Sequence, residues 1–204
     1  MANMSRRLLT VAAVLTGVLA WSASARAQSN GTEGGRFHFD VGLTGITGAN
    51  KLDTDLRHEA EDNGYSYSSF VWPVGLEVDP YYTFNFGLGL GGSVGPLMLG
   101  ETSGDISSDF VIVPVGLDAR YEFLNNSGVV PYVRAGFRYP ITAGDSISNG
   151  QIGPFVGAGV IFTKIHLELE AAYDGSKVTT DLGDFGDTKV VEPYQFMFTV
   201  AYHF

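Results

Sequence analysis

The last eleven residues of the chain alternate without a break. Tyr194, Phe196, Phe198, Val200, Tyr202 and Phe204 share one parity; Gln195, Met197, Thr199, Ala201 and His203 share the other. Strand side chains point alternately to the two faces of a sheet, so this stretch reads as a strand with one aromatic, apolar face. Water gives such a stripe no advantage, whereas hydrocarbon does. The expectation is a closing strand that lies against lipid in a membrane-spanning barrel.

The start of the chain fits a protein exported across a membrane. Arg6 and Arg7 precede an apolar run from Leu8 to Ala20, and Ala25-Arg26-Ala27 is a small-x-small cleavage site. This is the pattern of a secretory signal peptide over residues 1–27, too short for a spanning helix. The remaining 28–204 form one barrel domain. Of 12 Lys and Arg, three leave with the leader, so nine face all 22 Asp and Glu and the mature charge is −13. An acidic chain lacks the basic patches that nucleic acid rewards, so no nucleic-acid partner is expected. With no cysteine there is neither a disulfide framework nor a thiolate metal site. No later apolar run reaches helix-spanning length, which leaves a closed barrel as the way across a bilayer.

Taken in order, the pattern predicts eight strands: Arg36–Gly45, Phe70–Asp79, a third ending near Gly91, Phe110–Phe123, Val130–Ile141, Ile152–Phe162, Ile165–Tyr173 and the closing strand. Asp79-Pro80, Asn125 to Gly128 and Thr163-Lys164 supply short turns. Residues 46–69, 92–109, 142–151 and 174–189 read as long loops. Strands of about 9–12 residues, with long and short connections alternating, predict an all-β, eight-stranded antiparallel up-and-down transmembrane barrel. Pro73 and Pro114 interrupt strands and are expected at bulges.

A soluble lipocalin-like barrel would show the same alternation with its apolar face inside. Three features favour the apolar face outside. Glycines crowd the polar parity, among them Gly42, Gly89, Gly116, Gly136, Gly157 and Gly159, as a narrow lumen demands. Aromatic residues fall in two bands: Phe37, Tyr82, Tyr121, Phe123, Phe162, Tyr202 and Phe204 toward the short turns, Trp72, Tyr139, Tyr173 and Tyr194 toward the long loops. The polar parity also carries both signs of charge. His38, Asp40, Glu77, Asp118, Glu122, His166, Glu168 and Glu170 face Arg120, Arg134 and Arg138, a lumen filled by ion pairs. Phe110, Ile112 and Phe155 are apolar on the inward parity; the first two are expected near the outer rim, and a bulge is expected to re-aim Phe155.

This pattern resembles the small eight-stranded outer-membrane barrels of Gram-negative bacteria, of the outer-membrane protein A transmembrane-domain and outer-membrane protein X types. The resemblance covers 28–204, and its most specific part is the ending Phe196 to Phe204. It implies that Tyr194, Phe196, Phe198, Val200, Tyr202 and Phe204 act as the signal read by the barrel-assembly machinery. It also implies an outer-membrane location with periplasmic termini and extracellular long loops, contact with outer-membrane lipid and lipopolysaccharide, and a monomer. The resemblance covers anchors, adhesins, narrow pores and a few lipid-modifying enzymes. No peptidoglycan-binding domain is expected after Phe204.

The candidate chemistry is sparse. His166-x-Glu168-x-Glu170 puts three polar groups on one strand face, in reach of a metal or of acid–base work, but an internal ladder with Arg134 and Arg138 accounts for them. Lipid-modifying relatives place Ser or Asp beside His at a lipid-facing site, and this grouping is not found here. Asp181, Asp184 and Asp187 on a glycine-rich loop suit Ca²⁺ in principle, without the order of a calcium-binding loop. The expectation is a non-enzymatic barrel with no cofactor and no metal, working through acidic loops in envelope integrity or surface interaction. A narrow pore for ions or small solutes is the alternative, and a lipid-A-modifying enzyme the third.

Overall fold

The computed structural model describes residues 35–204, apart from 63, 65, 105–107, 125–126, 145–146 and 181–188. The expected leader at 1–27, the Asn125-Asn126 pair and the Asp181, Asp184 and Asp187 run lie outside the described residues. Among the described residues thirteen strands and one helix follow in order. They are β1 (Arg36–Ile46), α1 (Gly48–Asp62), β2 (Tyr67–Val71), β3 (Val74–Thr83), β4 (Leu88–Val94), β5 (Met98–Gly104) and β6 (Ser108–Glu122). Then come β7 (Val129–Gly144), β8 (Ile147–Gln151), β9 (Gly153–Phe162), β10 (Leu167–Asp174), β11 (Lys177–Thr180), β12 (Val190–Val191) and β13 (Gln195–His203). Among them β1, β3, β4, β6, β7, β9, β10 and β13 pair antiparallel in a ring, closed where β13 meets β1 from Asp40↔His203 to Ile46↔Met197. Closure leaves these eight strands without an edge, so their backbone groups are paired without water.

The apolar parity faces out. Leu117 is 77 % exposed, Phe198 61 % and Phe137 61 %, while Arg120, Arg134 and Glu168 are buried inside. An inside-out arrangement of this kind is stable only where the surroundings are apolar. It rules out the lipocalin-like orientation. The inward glycines make room for what fills the lumen. A Cβ on Gly159 would lie 2.5 Å from the Tyr132 hydroxyl, and one on Gly116 would lie 2.7 Å from Cγ of Arg138.

Asp79-Pro80 is not a turn. β3 runs through Pro80 to Thr83, and the chain reverses at 84–87, where Gly87 has φ +91°. Pro80 is tolerated because Phe39, opposite it, turns its N–H and C=O toward Phe204 instead (3.4 and 3.0 Å). The cost falls on the β3–β4 ladder, which skips Asp79 and Pro80. Pro73 separates β2 from β3. Pro114 stays inside a continuous β6, and the irregularity lies across from it: Val94 pairs with Val115 but Met98 with Ile112, so residues 95–97 hold one extra residue.

The long loops have more structure than their polar composition predicts. β2 and β5 extend the wall beyond the barrel, and β12, β11 and β8 form a small second sheet. In the first loop α1 buries Ala49, Leu52 and Leu56, which recur on one helical face. They join Phe110, Ile112, Met98 and Tyr194 in an apolar cluster. Burying each leucine contributes about 1.5–3 kcal/mol. Phe155 also points inward and is 1 % exposed; no bulge re-aims it.

Candidate functional site

The lumen is filled by three arginines, Arg120 on β6 in register with Arg134 on β7 and Arg138 four residues further along β7, and each holds carboxylates from other strands. At the short-turn end Arg120 donates Nη1 to Asp40 Oδ2 (3.2 Å) and to Glu168 Oε2 (3.1 Å). Its guanidinium lies between the rings of Tyr81 (4.1 Å) and Tyr132 (4.2 Å). Glu122 accepts from Thr83 Oγ1 at 3.1 Å. In the middle Arg134 donates Nε to Asp118 Oδ2 (3.0 Å) and Nη1 to Asp79 Oδ2 (3.0 Å) and Glu170 Oε2 (3.3 Å). The Tyr132 hydroxyl ties the two levels together, 2.5 Å from Glu168 and 2.6 Å from Glu170.

Toward the long loops Arg138 pairs with Glu77, donates Nε to Ser93 Oγ (3.1 Å) and lies 3.7 Å from Asp174. The Phe155 ring packs against Arg138 (3.9 Å) and Arg134 (4.7 Å), which gives an apolar side chain on the polar parity a partner. Above it the apolar cluster under α1 closes the lumen. Seven buried carboxyl groups and the half-buried Asp118 therefore face three guanidinium groups among the described residues. Charges this deep persist only when partnered, so the geometry is that of a plug held at many points.

Of the expected lumen residues, Asp40, Glu77, Asp118, Arg120, Glu122, Arg134, Arg138, Glu168 and Glu170 face inward together. His166 does not. It sits in the turn before β10 at φ +52°, exposed, with its Nδ1 3.2 Å from the carbonyl of His203. The ladder begins at Leu167, so strand parity does not reach His166 and the three-residue polar face is broken. Asp79, Tyr81, Asp174 and His203 belong to the network but are absent from the sequence expectation. Extending the parity of Glu77 and Glu170 along their strands would have found Asp79, Tyr81 and Asp174.

Asp40, Glu168 and His203 bring ligand atoms within 4.8 Å of one another. The Arg120 guanidinium already lies on both carboxylates, so the positive charge between them is supplied by the chain itself.

On the outer wall Trp72, Tyr82, Tyr121, Phe123 and Tyr139 are exposed, while Phe37, Phe162 and Tyr173 are half-buried. Edge-to-face pairs link Tyr82 to Phe84 (5.1 Å), Tyr121 to Phe123 (5.2 Å) and Tyr202 to Phe204 (4.6 Å). Phe196, Phe198, Val200, Tyr202 and Phe204 all face out, but Tyr194 does not. It is fully buried and donates its hydroxyl to the Ile112 carbonyl at 3.2 Å. Gln195, the first residue of β13, has φ +21° and breaks the alternation there.

No curated protein matches the chain in sequence. Among solved structures it is similar to OprG of Pseudomonas aeruginosa, at 14% identity and a TM-score of 0.49, covering 85% of this chain and 98% of that one. It is also similar to neisserial surface protein A, at 17% identity and a TM-score of 0.44 (84% and 97% covered). A third is Ail of Yersinia pestis, crystallised with a heparin analogue, at 16% identity and a TM-score of 0.41 (85% and 100% covered). The profile of the outer membrane protein beta-barrel domain matches residues 11–204, nearly the whole chain. With its closed eight-stranded wall and outward apolar face, the chain belongs to the outer membrane protein beta-barrel family.

Proposed function

We propose that this barrel is a non-conducting, non-enzymatic outer-membrane scaffold that acts in envelope integrity or surface interaction through its long-loop end. The observation that carries this reading is the filling of the lumen: three arginine levels, topped by the apolar cluster under α1. A side-chain-filled barrel of this width offers no water path. What remains to meet a partner is α1, β2, β5 and the small sheet, a structured surface on a rigid wall. It carries acidic groups such as Asp62 and Glu101 on exposed positions.

In this reading the termini lie in the periplasm and the long loops outside the cell. The outer wall meets lipid and lipopolysaccharide, the barrel is a monomer, and the assembly machinery reads Phe196 to Phe204. Planar-bilayer recording tests the central claim: the folded chain gives no discrete conductance steps. Regular cation-selective steps would instead establish the narrow pore, and the carboxylate excess in the lumen would then set its selectivity. Protease treatment of intact cells tests the orientation, since α1 should be cut from outside. Altered lipid A in a deletion strain would point to the enzyme.

A further inference from the structure

At the short-turn mouth of the lumen two histidines extend the ionic network beyond Arg120. His38 is the third residue of β1 and His203 the last of β13, so strand closure brings both to the same end. Asp40 and His203 are in register across the seam, and His38 is in register with Tyr81 on the other side. His203 Nδ1 lies 2.7 Å from Asp40 Oδ1. A carboxylate can only accept there, so Nδ1 carries the hydrogen and Nε2 of a neutral ring keeps its lone pair. That lone pair meets His38 Nδ1 at 3.1 Å. A histidine whose second nitrogen donates to a buried carboxylate, fixing tautomer and ring orientation, is the usual form of a metal-ligating histidine.

We propose that this mouth binds one divalent transition-metal ion, of the zinc and copper class, between His38 Nδ1 and His203 Nε2. Two metal–nitrogen bonds of about 2.0–2.1 Å at a tetrahedral angle place the nitrogens about 3.4 Å apart. The pair stands at 3.1 Å, so a shift of a few tenths of an ångström admits the ion. His38 is half-buried and His203 is 9 % exposed, so the ion keeps open positions for water toward the mouth. Charge favours a cation on the His203 side, where Asp40 and Glu168 share the Arg120 guanidinium and Glu122 is buried as well, while Arg36 partly offsets them on the His38 side. The site is distinct from the gap between Asp40 and Glu168, which Arg120 fills. Imidazole ligands with water suit Zn²⁺ and Cu²⁺ over Ca²⁺ or Mg²⁺, with Cu²⁺ the tighter of the two.

The chain's other histidines serve as internal controls. His166 is exposed in the neighbouring turn with its Nδ1 on a backbone carbonyl, and His58 is exposed on α1. Isothermal titration of Zn²⁺ into the folded barrel in detergent micelles should show one saturable site. His38→Asn and His203→Asn should each weaken it at least tenfold, while His58→Asn and His166→Asn leave it unchanged. Electron paramagnetic resonance with Cu²⁺ should show hyperfine structure from two nitrogens in the native barrel and from one in His38→Asn. If His203→Asn does not fold, these two spectra still decide. No saturable Zn²⁺ binding, binding indifferent to His38→Asn, or loss of binding in His166→Asn or His58→Asn would overturn the proposal.

Discussion

The lower lumen and its cap close the same cylinder by opposite physics. From Asp40 up to Arg138 the interior is ionic, with each guanidinium shared among carboxylates of several strands. Above Phe155 it is apolar, and Leu52, Leu56 and Tyr194 fill it from α1 and the approach to β13. An ionic interior depends on its count. Remove one cation and the carboxylates left behind have neither water nor partner. An apolar cap depends on area and shape, so its losses are graded and local. The barrel thus has a body in which single changes act globally and a cap in which they act on one loop.

Arg134→Ala should have the largest effect, because Asp79, Asp118 and Glu170 all lose their cation. A loss of about 3–5 kcal/mol is expected in denaturant unfolding from detergent or lipid. A change below about 1 kcal/mol would mean that water reaches the lumen, and would erase the contrast with the cap. Leu52→Ala comes next, at about 2–3 kcal/mol. It should appear as faster hydrogen exchange and proteolysis in α1, with the barrel's unfolding midpoint nearly unmoved. A midpoint that falls with it would show that body and cap unfold as one. Phe155→Leu probes the boundary, since the ring faces guanidinium groups below and apolar side chains above. Loss of the cation–π contacts should cost about 1–2 kcal/mol. Tyr194→Phe keeps the packing and deletes one hydrogen bond to Ile112, for about 1 kcal/mol, read as slightly faster hydrogen exchange in the cap.

The two regions were not equally legible in the sequence. In the body, alternation separates Arg120, Arg134 and Arg138 from Leu117, Val133 and Phe137, so the inward set can be read from parity. Asp79 escaped because Asp79-Pro80 is a strong turn signal, and the strand accommodates the proline by dropping part of one ladder. In the cap the signal was weaker. Ala49, Leu52 and Leu56 do recur at helical spacing, but Asp53, Asp55, Glu61 and Asp62 between and after them read as a solvated loop. Tyr194 carries the parity of β13, and only a backbone torsion at Gln195 turns it inward.

Periodicity, glycine placement and charge balance by themselves determined a closed eight-stranded wall with lipid outside and ions within, because each strand's faces are set by local alternation. Only the tertiary structure decided which carboxylate meets which arginine, that α1 covers the top, and that His38 faces His203. Those partners lie up to 165 residues apart in the chain. Their meeting depends on register and closure around the ring, and one strand's alternation carries no record of either.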